Sequence, residues 1–172
     1  MEKIDYKHGK FKILTTSTDG FTYEDYLDYC EDNGIKPAEQ DSREYYNWVA
    51  GERDLNFESD MDNISTCKQY KTKVVAEGKL GLWDGHHTVI PRFFDNVADA
   101  ISACIEGCDD CNVWYNDGAI EVEGYHHDGT NSFTIHALSK KGFDKYERAV
   151  DHGRDVELIK TDYKRLPYLY AI

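Results

Sequence analysis

The stretch Ala119-Ile-Glu-Val-Glu-Gly-Tyr-His-His-Asp-Gly-Thr-Asn-Ser-Phe-Thr-Ile-His-Ala137 alternates apolar and polar residues on both sides of a turn signal. Period-two alternation of this kind predicts two β-strands that each bury one face. Asp128-Gly129 favours a type I′ turn, because both residue types tolerate positive φ. A two-residue turn there would set Val122 opposite Ile135, and a four-residue loop would keep the same faces together. The sequence therefore predicts a β-hairpin whose apolar faces agree.

Capping residues predict where the N-terminal helices begin and end. Thr22 would cap a first helix, with Asp25 at the capping-box position and Asn33-Gly34 as its end. Ser42 would cap a second helix, which Gly51 is a candidate to interrupt. An apolar stripe at helical spacing is expected to face inward in the first helix: Tyr23, Tyr26, Leu27 and Cys30.

The remaining segments complete an α+β pattern. Asp95 would cap a helix over about residues 96–106, and Ser139 would cap a last helix. β-branched and aromatic residues predict further strands at 11–18, 72–83, 111–115 and, as a closing strand, 155–160. With no repeat or linker, we expect residues 1–172 to form a single α+β domain with a mainly antiparallel sheet. An acidic helical region, about 19–64, would precede a sheet-rich body, about 70–172.

Composition restricts the class of protein. The 172 residues are 31% charged and 13% aromatic, which favours a soluble, folded chain. No apolar run approaches the roughly 20 residues of a membrane span, and the N-terminus lacks the apolar region of a secretory signal. Five cysteines, an odd number, favour reduced thiols. We therefore expect a cytoplasmic protein.

Negative charge is concentrated in one quarter of the chain. Residues 19–62 contain 14 Asp and Glu against three Lys and Arg, which gives −11 of the total net charge of −13. Such a field repels nucleic-acid phosphates and attracts basic surfaces. The pattern is equally typical of a solvated pair of helices, so it leaves open whether this surface binds a partner.

Histidines flank two turn signals in mirrored order. The pairs are Asp84-Gly85-His86-His87 and His126-His127-Asp128-Gly129. Neutral imidazole is a common zinc ligand, and structural zinc sites usually have four protein ligands. Neighbouring strand residues face opposite ways, so one member of each pair could enter a site that a third group completes. The predicted metal ligands are His86, His87, His126 and His127, with structural zinc as the cofactor. Hydrogen bonding at turns is the alternative.

Other chemical motifs are incomplete. Cys108-x-x-Cys111 has the spacing of a zinc knuckle, but no second such pair follows. The chain has no P-loop, GxGxxG, GxSxG or HExxH motif. A small metal-dependent hydrolase using the two histidine turns is one alternative function. A nuclease acting on long nucleic acid normally has a basic approach surface, which this sequence lacks.

Three runs carry a family resemblance: Tyr26-Leu-Asp-Tyr-Cys-Glu-Asp-Asn-Gly-Ile35, Gly81-Leu-Trp-Asp-Gly-His86 and Tyr125-His-His-Asp-Gly-Thr-Asn131. They resemble a family of small acidic proteins carried by phages and prophages of Gram-positive bacteria, streptococci among them. The resemblance covers most of residues 20–140, and the last run is its most specific part. Some acidic phage proteins of this size are type II-A anti-CRISPR proteins, which bind the RNA-guided nuclease and block target DNA. At least one of these contains zinc. The resemblance thus implies host takeover or counter-defence.

The charge pattern and the resemblance lead to one functional hypothesis. We expect a non-enzymatic inhibitor that binds a basic, nucleic-acid-handling host protein, with the RNA-guided nuclease as the leading target. An antirestriction DNA mimic is a further alternative, since it would also be acidic. The residues expected to contact the partner are Glu24, Asp25, Asp28, Glu31, Asp32, Asp41 and Glu44.

Overall fold

The centre of the fold is one antiparallel sheet, and β-strands in it bury every second residue. The computed structural model describes residues 10–15, 21–66, 71–82 and 85–166. Seven strands are found there: β1 (Lys10–Thr15), β2 (Val74–Leu82), β3 (Gly85–Phe94), β4 (Asp110–Asn116), β5 (Ala119–His126), β6 (Gly129–Leu138) and β7 (Tyr163–Lys164). Their order is β1-β4-β5-β6-β2-β3, with β7 paired to β6, and every pair is antiparallel.

Helices cover both faces of this sheet. They are α1 (Tyr23–Asp32), α2 (Arg43–Thr66), α3 (Val97–Cys104) and α4 (Lys140–Asp151), with a 3-10 turn at Lys160–Asp162. The predicted α+β class with a mainly antiparallel sheet is confirmed. None of the helices in the described ranges is long and apolar enough to cross a bilayer.

Two separate clusters of buried apolar side chains are found among the described residues. The main core packs α3 and the end of α2 against one face of the sheet, with Val113, Ile120 and Ile135 among its fully buried side chains. A second cluster, which we call the satellite core, joins α1 to the first half of α2. It contains Tyr26, Cys30, Tyr45 and Val49, with Phe21, Tyr23 and Trp48 packed around them. The prediction that the α1 stripe faces inward is confirmed for Tyr26 and Cys30, which are buried.

Most predicted helix starts are confirmed by their hydrogen bonds. Thr22 and Asp25 form the reciprocal capping box of α1, and Ser139 accepts a hydrogen bond from the backbone N–H of Gly142. The prediction that Asp95 caps the third helix is wrong by one residue. Asn96 is the cap, because its side-chain oxygen accepts the backbone N–H of Asp99.

The hairpin forms, but its predicted register is wrong. Val122 lies opposite Phe133 instead of Ile135, because His126 pairs with Gly129 and the turn consists of residues 127–128. Gly129 lies against the next strand, where a side chain has no room: a Cβ at this glycine would lie 2.9 Å from the backbone of Gly81 in β2. The two-residue shift preserves which side chains share a face, as predicted.

Two further predictions fail where tertiary packing decides the outcome. Gly51 does not interrupt the second helix, since α2 continues from Arg43 to Thr66 and is packed into a core on each side of the glycine. The predicted closing strand at 155–160 is absent. The carboxylate of Asp162 accepts the backbone N–H of Ile159 and closes a 3-10 turn, so only residues 163–164 pair with β6. The apolar residues of segment 163–172 predict a tail that docks on the body, and residues 167–172 of this segment lie outside the described residues.

Candidate functional site

The seven predicted partner-binding acids all lie on the surface. Every one of them is exposed, on α1, on the segment between the helices, or on the first turn of α2. We call this set the acidic face: Glu24, Asp25, Asp28, Glu31, Asp32, Asp41 and Glu44. Its exposure leaves each carboxylate accessible to another molecule.

The charge density of α1 is comparable with that of a nucleic acid. Five acids occur between Glu24 and Asp32, a length of about 12 Å at 1.5 Å per residue. This is roughly one negative charge per 2.4 Å of helix axis, whereas B-DNA has one per about 1.7 Å and one of its strands one per about 3.4 Å. A surface that binds phosphates would therefore meet a similar charge density here.

Two members of the acidic face have structural partners. Asp25 accepts hydrogen bonds from the side chain and backbone of Thr22, at 2.7 and 2.8 Å, which lowers the pKa of Asp25. Asp41 accepts the hydroxyl of Tyr46 at 3.1 Å, and this bond raises the pKa of Tyr46. Within the described residues, the side-chain carboxylates of the other five acids form no hydrogen bond or ion pair.

Several of these unpaired acids lie where they weaken their own helix. Glu31 and Asp32 occupy the last turn of α1, which contains no basic residue, so they oppose the negative end of the helix dipole. Asp28 is three and four residues from them, a spacing at which like charges repel. These charges therefore do not contribute to the stability of α1.

Tyrosines beneath the acidic face fix its backbone. The hydroxyl of Tyr23 donates to the carbonyl of Ala38 at 2.6 Å, and the hydroxyl of Tyr26 accepts a hydrogen bond from the backbone N–H of Ala38 at 3.2 Å. Tyr45 donates to the carbonyl of Phe21 at 3.0 Å. The sequence predicted Tyr23 and Tyr26 as part of the inward stripe of α1, but the hydroxyl partners depend on how α1 and α2 pack.

Two aromatic rings remain accessible beside the acids. Tyr29 is 37% exposed and its ring lies 5.7 Å from that of Trp48, centroid to centroid. Tyr46 is 55% exposed. Tyrosine is enriched at protein interfaces, where it combines an apolar ring with a polar tip. The acidic face therefore offers aromatic contacts as well as charge.

The two histidine turns lie at the same end of the sheet but on different strands. His126 is in β5, and the backbone of His87 pairs with Leu80 in the β2–β3 ladder. β6 and β2 lie between them, a separation of about 14 Å across three strand spacings. The side chains of His86 and His87 lie outside the described part of the structure. Among the side chains that are described, no group of three or more His, Cys, Asp or Glu residues could hold a metal ion. The zinc site stays a prediction.

Protein groups bind both histidines of the second turn. His127 lies 3.0 Å from a carboxylate oxygen of Asp128. Nε2 of His126 lies 3.2 Å from the side-chain oxygen of Asn131, and because an amide oxygen only accepts, Nε2 carries the proton. A metal at His126 would use its other ring nitrogen or displace Asn131.

Asn131 links three strands and a loop. Its side-chain oxygen also accepts the backbone N–H of Gly81 at 3.2 Å, and its nitrogen donates to the sulfur of Cys108 at 3.4 Å. The residue is only 5% exposed, so these bonds satisfy a polar group inside the protein. The sequence placed Asn131 beside the hairpin turn but contained no signal for its partners.

Two surfaces of the chain thus combine exposed or ordered polar groups: the acidic face and the end of the sheet around Asn131. Comparisons with protein-family models, curated proteins and solved structures gave no match.

Proposed function

We propose that this protein is a phage counter-defence inhibitor, without enzymatic activity, that binds a basic nucleic-acid-handling protein in the host cytoplasm. The proposed target is the RNA-guided DNA nuclease of a type II CRISPR system. The observation that carries the proposal is the acidic face, in which seven carboxylates are exposed and five form no bond within the described residues. These five are available to the cations of a partner.

Competition with DNA provides the mechanism. An RNA-guided nuclease holds its guide–target duplex in a positively charged channel and contacts the nucleic-acid backbone there. Carboxylates on α1, with a charge density between those of single- and double-stranded DNA, would pair with the same lysines and arginines. Arginine can bind a carboxylate through two parallel hydrogen bonds, which adds geometric selection to the charge attraction. Occupation of these cations would block DNA loading.

The accessible rings of Tyr29 and Tyr46 would add contacts that salt does not screen. Exposed ion pairs each contribute about 0.2–1 kcal/mol and weaken as ionic strength rises. Aromatic side chains are frequent binding hot spots in protein interfaces. We therefore expect binding that weakens strongly with salt but keeps a residual affinity from the two tyrosines.

A charge-neutral variant of the acidic face tests the proposal. It combines four substitutions of exposed acids on α1: Glu24→Gln, Asp28→Asn, Glu31→Gln and Asp32→Asn. At about 0.5 kcal/mol for each lost pair, the loss is about 2 kcal/mol, which corresponds to roughly 30-fold weaker binding to the purified nuclease. The readouts are the dissociation constant at low and high salt and the inhibition of target-DNA cleavage.

A matched variant controls for net charge. It removes four exposed acids from the body, near the end of α4 and after it: Glu147→Gln, Asp151→Asn, Asp155→Asn and Glu157→Gln. We expect this variant to bind within a few-fold of the wild type. Equal losses in both variants would show a general charge effect, and no loss in either would reject the acidic face as the binding surface. Binding to a restriction enzyme instead of the nuclease would identify an antirestriction mimic.

A further inference from the structure

The two cysteines of the Cys108-x-x-Cys111 motif border one cleft at the start of β4. The cleft has a volume of about 330 Å³ and lies between α2, the end of α3 and β4. Phe57 and Ile105 form apolar parts of its wall, and Glu106 contributes a polar group. Neither cysteine is part of a disulfide in this structure.

The missing side chain of Gly124 makes room for the first sulfur. A Cβ built on this glycine would lie 2.5 Å from the Sγ atom of Cys108, too close for two real atoms. In the β4–β5 ladder Gly124 is paired directly with Cys111. Directly paired residues share a face of the sheet, with their Cβ positions about 4.5–5.5 Å apart. The Cys108 sulfur thus occupies the space next to the Cys111 side chain.

The two thiols differ in access, as an attacking and a resolving cysteine do. Cys108 is partly exposed, whereas Cys111 is only 2% exposed. Asn131 positions Cys108 by donating its side-chain N–H to the sulfur at 3.4 Å. Asn131 is itself held by the backbone of Gly81 and the ring of His126, so the orientation of the sulfur depends on the hairpin end of the sheet.

We propose that Cys108 and Cys111 form a reversible disulfide by exchange with a small disulfide, such as oxidised glutathione, that enters the cleft. The Cys108 thiolate attacks one sulfur of the small disulfide, which gives a mixed disulfide and releases one thiol. The Cys111 thiolate then attacks the Cys108 sulfur and releases the second thiol. The protein loses two protons and two electrons, and the small disulfide is reduced to two thiols.

Burial distinguishes Cys108, which is partly exposed, from the neighbouring buried thiol of Cys104. Burial raises the pKa of Cys104 to about 12, so this side chain stays protonated and unreactive. Burial and the nearby Cys111 raise the pKa of Cys108 as well, although the Asn131 hydrogen bond opposes the increase. Thiol–disulfide exchange at Cys108 is therefore slower than at cysteine in solution. The Cys108 thiol nevertheless has access to solvent, which the Cys104 thiol lacks.

Thiol counting on the full chain tests the proposal. Reduced protein is equilibrated with oxidised and reduced glutathione, quenched in acid, denatured and alkylated with N-ethylmaleimide. The wild type, with five cysteines, is expected to fall from five alkylated thiols to three, with the lost pair mapped to the peptides of Cys108 and Cys111. Cys111→Ser should stop at the mixed disulfide on Cys108, and Cys108→Ser should keep its four thiols.

A glycine substitution tests the geometry without removing any thiol. Gly124→Ala places a methyl group where the Cys108 sulfur lies, and this sulfur, the nearest atom, can rotate away about the Cα–Cβ bond. Its disulfide yield should fall well below that of the wild type. Gly51→Ala is the matched control, since nothing lies within 4 Å of a Cβ there, and it should oxidise like the wild type.

Clear results would overturn the proposal. Five alkylated thiols in the wild type, under conditions that fully oxidise a reference Cys-x-x-Cys peptide, would exclude the disulfide. Mapping of the bond to Cys67 or Cys104 would assign it to a different pair. An undiminished yield in Gly124→Ala would reject the role of the shared space beside Gly124.

Discussion

Neutralising the last turn of α1 should make the free protein more stable. Glu31 and Asp32 oppose the helix dipole, which costs about 0.3–1 kcal/mol for each exposed carboxylate. Both also repel Asp28, at about 0.2–0.5 kcal/mol for each pair. Because all three are exposed, we take the lower ends of these ranges. Glu31→Gln combined with Asp32→Asn should then stabilise the fold by roughly 1 kcal/mol, or about 2–4 °C in Tm for a chain of this length.

Thermal unfolding at low and high salt measures this gain. It should shrink as the Debye length falls to about 3 Å near 1 M salt, since the repelling charges are at the surface. Glu24→Gln is the internal control: Glu24 lies in the first turn, where a negative charge favours the helix, so its removal should give no gain. A double variant at Glu31 and Asp32 that is no more stable than the wild type at low salt would refute the reasoning. A variant with higher Tm and weaker partner binding would show that these charges serve binding.

Three further predictions concern the rest of the fold. Gly51→Ala should raise the free energy of unfolding in urea by about 0.5–1 kcal/mol, because the site is a helix interior with open space around it, and a loss would contradict this. The backbone N–H of Ile159 and the ammonium of Lys145 lower the pKa of Asp162, so its contribution to stability is present above about pH 4 and is lost as the pH falls through the lowered pKa. Asp162→Asn should therefore lower Tm near pH 7 and weaken the pH dependence on the acid side, and an unchanged acid profile would argue against it. Structural zinc at the turn histidines predicts one metal ion per chain by elemental analysis and a lower Tm after chelation; protein that is metal-free as purified, with an unchanged Tm, would exclude it.

Local patterns predicted most of the secondary structure because their causes are local. The caps at Thr22, Ser42 and Ser139 act through hydrogen bonds that reach only three residues along the chain. The alternation in β5 and β6 needs only a buried face, and the structure buries the predicted side. Exposure of the five acids on α1 followed from the helical spacing of its apolar stripe.

Longer-range contacts decided what the patterns missed. The hairpin register depends on the close approach of Gly129 to Gly81, about 50 positions earlier in the chain. The continuity of α2 through Gly51 depends on packing before and after it, which outweighs a helix penalty of about 1 kcal/mol. Such contacts leave no signature in a local window of sequence.

The two candidate functional surfaces differ in the same way in how far the sequence predicted them. The acidic face was predictable because it requires only charge and exposure. The network from His126 through Asn131 to Cys108 was not, since it joins residues from a loop, two strands and the backbone of a third. The spacing of Cys108 and Cys111 was visible in the sequence, but the role of Gly124 between them required the pairing of β4 with β5.

The division of α2 between two cores determines how the molecule opens by thermal fluctuation. Counted over the side chains that the structure describes, the satellite core has four buried residues and the main core nineteen. Regions with few buried apolar contacts open at lower free energy than the global unfolding transition. Backbone amides of α1 should therefore exchange with deuterium faster than those of β5, although both are hydrogen-bonded. The proposed binding surface, which lies on this less stable unit, would then be able to adapt to the shape of a partner while the sheet stays folded.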